Sequence, residues 1–219
     1  MKRMAIIITI TIILTIFISV ITSVLEAPIQ RHITNLGSNE PSILTTTNNA
    51  HVVIVSKGTR QQENGSGFYI RSNIVVTCNH ILQFSNVYVN GKSAMTIARN
   101  SSRDIALIQT ATKIKDFLNL SKSGIYQGQP VITIGNPKGM INTMSSGIVS
   151  NTYRVLSNSK DPVFQFTASV SKGSSGGAIL NSKGEVIGMV KSMLDDGQDL
   201  NFAIPADQIQ EELDRIDNN

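Results

Sequence analysis

The sequence predicts an all-β protein, a barrel or sandwich, preceded by an apolar N-terminal helix and closed by a short C-terminal helix. Three observations predict it. From His51 onward, short apolar runs alternate with turns rich in glycine and asparagine. Ahead of that point lies a long uncharged stretch, then a polar one without periodicity. After Pro205 the apolar residues switch to a helical spacing.

Taken in order, Met1-Lys2-Arg3 leads into residues 5–25, which are 21 residues without a charge, dominated by isoleucine, threonine and valine. At about 1.5 Å per residue such a helix reaches roughly 30 Å, the thickness of a bilayer's hydrocarbon core. Residues 1–25 therefore read as a transmembrane signal anchor. The basic residues before the span favour an N-in orientation, with everything after residue 26 on the noncytoplasmic side of the membrane. A cleaved signal peptide and a secreted product form the competing reading. Against it, signal h-regions usually run about 7 to 15 residues, and the small-residue cleavage points near Ser23 and Ala27 are poor.

Residues 26–48, rich in Thr, Asn, Ser and Pro, read as a linker. Residues 49–219 form the folded domain. Strands are expected at 52–55, 67–70, 74–77, 87–89, 105–109, 131–134, 147–149, 163–167, 178–181 and 186–190. Residues 207–216 place Ile209, Leu213 and Ile216 at helical spacing, so an amphipathic helix is expected to pack against the last strands.

Composition sets limits. The chain of 219 residues leaves room for one compact unit of two packed layers or barrels and for no second large domain. The formal charge is +4, and Lys2 and Arg3 supply two of those charges, which is too weak an excess to suggest nucleic acid. A single cysteine, Cys78, forbids an intrachain disulfide, so the fold stands on its apolar core. Cys78 itself reads as a small buried hydrophobe. His32 and His51 read as solvent or linker residues.

The most informative segment is Gly173-Ser174-Ser175-Gly176-Gly177. Alone it is an ordinary turn. Its weight comes from two upstream residues, each at the edge of a β-like run. His80 follows the hairpin-like 65–78 segment, whose polar turn is Arg71-Ser72-Asn73. Asp104 stands at the mouth of the apolar run Ile105-Ala106-Leu107-Ile108. The order His, Asp, Ser differs from that of subtilisin-type and α/β-hydrolase sites. The residue types suit acyl transfer: Ser175 as nucleophile, His80 as general base, Asp104 to orient the imidazole, and the backbone N–H groups of Gly173 and Ser175 as an oxyanion hole.

With these motifs stand Gly65-Ser66-Gly67-Phe68, Ser102-Arg103-Asp104-Ile105-Ala106-Leu107, Ile134-Gly135-Asn136-Pro137-Lys138-Gly139, Ser146-Gly147-Ile148-Val149-Ser150, Gly184-Glu185-Val186-Ile187-Gly188 and Asn201-Phe202-Ala203-Ile204-Pro205. In their combination, over residues 65–205, the chain resembles a trypsin-like serine protease of the HtrA family. The resemblance implies two six-stranded β-barrels of the chymotrypsin type, with His80 and Asp104 on the first and Ser175 on the second. It also implies a specificity pocket with Ser169 at its base, Val170 beside it and a wall at Lys191, Ser192 and Met193. No acidic residue stands among these.

Lys172 and Ser174 depart from the proline and asparagine that the family often has there. The resemblance is expected to cover the protease domain alone, with no PDZ domain after Ile216. Polypeptides, unfolded or flexible, are the expected substrates, and the chemistry calls for no metal and no cofactor. A catalytically silent protease fold used for binding is the alternative reading.

Overall fold

The computed structural model describes residues 40–156, 161–193 and 199–218. Residues 1–25, read as the anchor, and most of the 26–48 linker lie outside them. Among the described residues no helix is long and apolar enough to cross a membrane.

The first barrel is built from β1 (His51–Lys57), β2 (Gln62–Arg71), β3 (Ile74–Cys78), β4 (Asn86–Val89), β5 (Lys92–Asn100) and β6 (Ile105–Gln109). The second uses β7 (Pro130–Gly135), β8 (Thr143–Arg154), β9 (Val163–Phe166), β10 (Ala178–Leu180), β11 (Val186–Met193) and β12 (Asn201–Pro205). Both close. The strand order is β1-β2-β3-β6-β5-β4 in one and β10-β11-β12-β9-β8-β7 in the other. Closure pairs β1 with β4 and β10 with β7, so neither sheet leaves an open edge.

The ten strands expected from sequence all fall on observed ones. β5 and β12 were not among them. β5, KSAMTIARN, is nowhere fully buried, so it has no continuous apolar run to betray it. β12 is a short, nearly fully buried strand whose sequence, NFAIP, does not alternate.

The linker reading needs correction at its end, because α1 spans Glu40–Ala50 and runs directly into β1. Pro41 falls in its first turn, where a missing N–H costs nothing. Thr47 and Ala50, three apart on one face, are buried. A buried stripe of one threonine and one alanine is too sparse to read as periodicity.

α2 (Ala206–Asp217) replaces the expected 207–216 helix with nearly the same limits. Ile209 and Leu213 are buried in a cluster that draws side chains from both barrels, including Phe68, Leu107, Ile134 and Met189. A second cluster, around Phe164, Phe166 and Ile187, fills the second barrel. The helix does more than cover apolar surface. Glu212, almost fully buried, accepts from Asn100 Nδ2 at 2.6 Å, and Arg103 pairs with Glu211 and Glu212. These contacts tie α2 to the turn between β5 and β6, which carries Asp104.

Candidate functional site

His80 lies in a single 3-10 turn, Asn79–Ile81, directly after β3. Asp104 sits one residue before β6 and has a positive φ of 64°, a conformation that Asp tolerates better than most residues. The turn before it is organised by Asn100, whose Oδ1 accepts from the N–H groups of Ser102 and Arg103, both at 3.1 Å. β3 and β6 are neighbours, with Cys78 opposite Ile105, so their ends bring the two residues together.

The contact is threefold. His80 N–H donates to Asp104 Oδ1 at 2.8 Å, the ring Nδ1 lies 2.8 Å from Oδ2, and Asn79 N–H donates to the Asp104 carbonyl at 3.0 Å. An ionised carboxylate only accepts, so Nδ1 carries the proton and Nε2 keeps its lone pair. The Asp104 side chain is 13% exposed and that of His80 48%, so the acid is sheltered while the imidazole edge stays open.

Ser175 lies between β9 and β10, in a loop fixed by backbone bonds. Ser174 N–H donates to Ser171 C=O, Gly176 N–H to Val190 C=O and Gly177 N–H to Ser174 C=O. Ser66 N–H, on β2, donates to the Ser175 carbonyl at 2.8 Å and so joins the two barrels at the serine itself. A Cβ built on Gly65 would meet Ile81 at 2.2 Å and the Ser175 carbonyl at 3.1 Å, so the His80 turn and the serine loop converge on this glycine.

The Ser175 hydroxyl donates to the Lys191 carbonyl at 3.2 Å, and among the described residues His80 is not its partner. The bond between nucleophile and base commonly tightens only when substrate is bound. That carbonyl is aimed by a bulge. In the β11–β12 register Val190 faces Ala203 and Ser192 faces Phe202, leaving Lys191 as the extra residue.

Gly173 has φ +101°, which suits glycine. Lys138 N–H holds the Lys172 carbonyl at 2.8 Å. Because a trans peptide points its C=O and N–H in opposite directions, the Gly173 N–H faces away from Lys138. Among the described residues the N–H groups of Gly173 and Ser175 make no hydrogen bond.

Beside Ser175 is a cavity of about 180 Å³ lined by Val170, Lys172, Val190, Ser192 and Met193 among others. Three of the five pocket residues expected from sequence, Val170, Ser192 and Met193, line it. Ser169 and Lys191 do not. Ser169 is held aside, its N–H donating to Ser145 Oγ at 2.9 Å, and Lys191 is turned inward at the bulge and buried.

Cys78 is fully buried as expected, its thiol donating to the Val190 carbonyl at 3.2 Å, and burial pushes its pKa up. Its sulfur lies within 4.8 Å of ligand atoms of His80 and Asp104. A buried thiol kept protonated and an Nδ1 already bonded to a carboxylate are both poor metal ligands.

His51 corrects the sequence reading. It is 3% exposed, and its Nε2 donates to Asn136 Oδ1 at 3.0 Å, an oxygen that also accepts from Asn142 N–H. Asn136 Nδ2 donates to the Val52 carbonyl. Nδ1 has no partner of acceptable geometry. Burial lowers the His51 pKa from 6.5 to about 4, opposed in part by the Asn136 bond and the nearby Gly67 backbone.

Between those two values the unfolded chain binds a proton that the folded chain refuses, so stability falls as pH drops through that window and levels off below it. The loss is expected to be about 3 kcal/mol. Urea titrations at pH 7 and pH 4.5 check this: the wild type loses more stability between them than His51→Gln, and equal losses would show that the ring does not stay neutral.

Comparison with known proteins adds an independent line. A sequence model of the trypsin-like peptidase domain matches residues 65–189. The chain is 34% identical over 164 residues to the putative serine protease HhoB of Synechocystis sp., covering 69% of this chain and 39% of that protein. It is 31% identical over 164 residues to the serine protease Do-like HtrA of Bacillus subtilis, covering 68% of this chain and 36% of the relative. The chain thus spans little more than a third of the length of these curated relatives. Among solved structures, the HtrA-type protease AlgW with tripeptide has a TM-score of 0.73 at 25% identity, covering 80% of this chain and 62% of that one. The Rv3671c protease from M. tuberculosis, active form, shares the fold with a TM-score of 0.70 at 23% identity, covering 78% and 82%.

Proposed function

The chain belongs to the trypsin-like peptidase domain family, and from that premise we propose that it is an HtrA-type serine endopeptidase acting through His80, Asp104 and Ser175. The observation that carries the reading is the His80–Asp104 contact. It fixes the imidazole in the tautomer whose Nε2 can accept a proton.

In the mechanism, Nε2 takes the Ser175 hydroxyl proton as Oγ attacks a peptide carbonyl. Asp104 steadies the imidazolium, and the N–H groups of Gly173 and Ser175 receive the developing oxyanion. The imidazolium then protonates the leaving amine, and water, activated by the same nitrogen, releases the acyl group from Ser175. A fluorophosphonate probe tests this directly. Labelling of the full-length protein that disappears in Ser175→Ala supports it. A folded wild type that resists the probe would point instead to a silent protease fold used for binding.

The cavity beside Ser175 is the proposed specificity pocket. None of its lining residues is acidic, and at about 180 Å³ it is small. A desolvated cation there would lack a counter-charge, at a cost of several kcal/mol. Cleavage is therefore expected after small or medium aliphatic residues such as valine, alanine or leucine in unfolded or flexible polypeptides. Mass-spectrometric mapping of cuts in an unfolded protein checks it, and a dominant cluster after arginine or lysine would refute it.

Residues 1–25 are proposed to anchor the protein, with the protease domain on the noncytoplasmic side. Retention in the membrane fraction after carbonate washing supports the anchor. A soluble form beginning near residue 24 or 28 would mean a cleaved signal.

A further inference from the structure

Ser66 touches the catalytic loop twice. Its N–H holds the Ser175 carbonyl, as described above. Its hydroxyl, fully buried, accepts from Asn136 N–H at 2.9 Å and donates to the Gly173 carbonyl at 2.8 Å. The carbonyl of the preceding residue, Lys172, is held by Lys138 N–H at 2.8 Å. The two peptide planes that flank the Gly173 Cα are thus each fixed by a hydrogen bond to their oxygen.

This matters because glycine has no Cβ to restrict it and can exchange one peptide orientation for another at little steric cost. Either plane, if it turned, would move or reverse the N–H that an oxyanion has to meet. Ser66 is itself held in place by its neighbours. Its carbonyl accepts from Thr77 Oγ1 at 2.7 Å, and its strand is paired with β1 on one side and β3 on the other. Asn136, the donor to its hydroxyl, is in turn held by His51 and Val52. The hydroxyl therefore carries the rigidity of the first barrel into a glycine of the second.

We propose that Ser66 is a positioning residue for the oxyanion-binding loop, its hydroxyl locking the peptide that follows Gly173 by bridging Asn136 N–H and Gly173 C=O. This rests on the serine-protease reading above. The role predicts an effect on the transition state larger than on substrate binding, because a misplaced N–H is missed mainly by the oxyanion.

The test uses the full-length protein and a peptide boronic acid, which becomes tetrahedral on Ser175. Ser66→Ala is expected to lower kcat by about tenfold or more, with KM changed less than about threefold. Boronate affinity should fall in parallel with kcat/KM. Ser66→Cys, near in size but a weaker donor, should lie between wild type and Ser66→Ala, and it carries the test if the alanine variant does not fold. Tyr69→Phe, which removes a buried hydroxyl from the same strand and its 3.3 Å contact with Thr110 Oγ1, is the control for lost stability alone. It should lower the melting temperature without the kinetic split.

A Ser66→Ala or Ser66→Cys protein with lowered stability but wild-type kcat and boronate affinity would overturn the proposal. Failure of the underlying reading looks different: the wild type would then bind neither fluorophosphonate nor boronate.

Discussion

Ser175→Ala is expected to cut casein hydrolysis by about 10⁴-fold or more, leaving only what binding and the oxyanion donors supply. The fold should survive. The hydroxyl makes one long bond, 3.2 Å to the Lys191 carbonyl, and losing such a bond costs about 1 kcal/mol. His80→Ala should lose as much, because an unassisted serine hydroxyl is a poor nucleophile. Asp104→Asn is the more instructive variant. Its amide can present an N–H to Nδ1, which would move the ring proton to Nε2 and remove the base, for a loss again of about 10⁴-fold. Groups that act as a unit are not additive, so the Ser175→Ala, His80→Ala double variant should be no slower than either single one. Casein turnover and β-sheet circular dichroism, measured side by side, check the set. Wild-type turnover by Ser175→Ala would end the mechanism.

Gly173→Ala is expected to lower kcat by about 10²- to 10³-fold, the loss typical of a missing oxyanion donor. Two causes act together. A φ of +101° is strained for any residue with a Cβ, and the added carbon would stand 2.5 Å from the Asn136 carbonyl and 3.3 Å from Lys138 N. These are backbone atoms, and the nearer one belongs to buried Asn136, so the loop has to move, and Gly173 N–H moves with it. Steady-state kinetics on a peptide substrate should show kcat falling further than KM rises. A variant with wild-type kcat would remove Gly173 from the oxyanion hole.

Most strands were readable in the sequence because apolar runs and glycine turns are local signals, and the three residues proposed as catalytic lie close to strand ends. His80 follows β3 in the turn Asn79–Ile81, Asp104 precedes β6, and Ser175 precedes β10. What escaped depends on tertiary contact. β5 is half-exposed, α1 buries only Thr47 and Ala50 among its described side chains, and His51 is a barrel residue whose partner Asn136 lies 85 positions away. No periodicity announces such a pair. Of the pocket residues that the resemblance implied, Val170, Ser192 and Met193 line the cavity beside Ser175, while the bulge at Lys191 exists only in the β11–β12 register.

The clasp between α2 and the β5–β6 turn sets an order of events during synthesis. Translation delivers His80 and Asp104 first, then Ser175, and the helix with Glu211 and Glu212 last. Until that helix docks, Asn100 lacks the Glu212 carboxylate and Arg103 keeps only Asp161 of its three acidic partners, so the turn that carries Asp104 is braced less fully. A nascent chain that already contains His80, Asp104 and Ser175 therefore still lacks the last contacts that the finished fold gives the turn carrying Asp104.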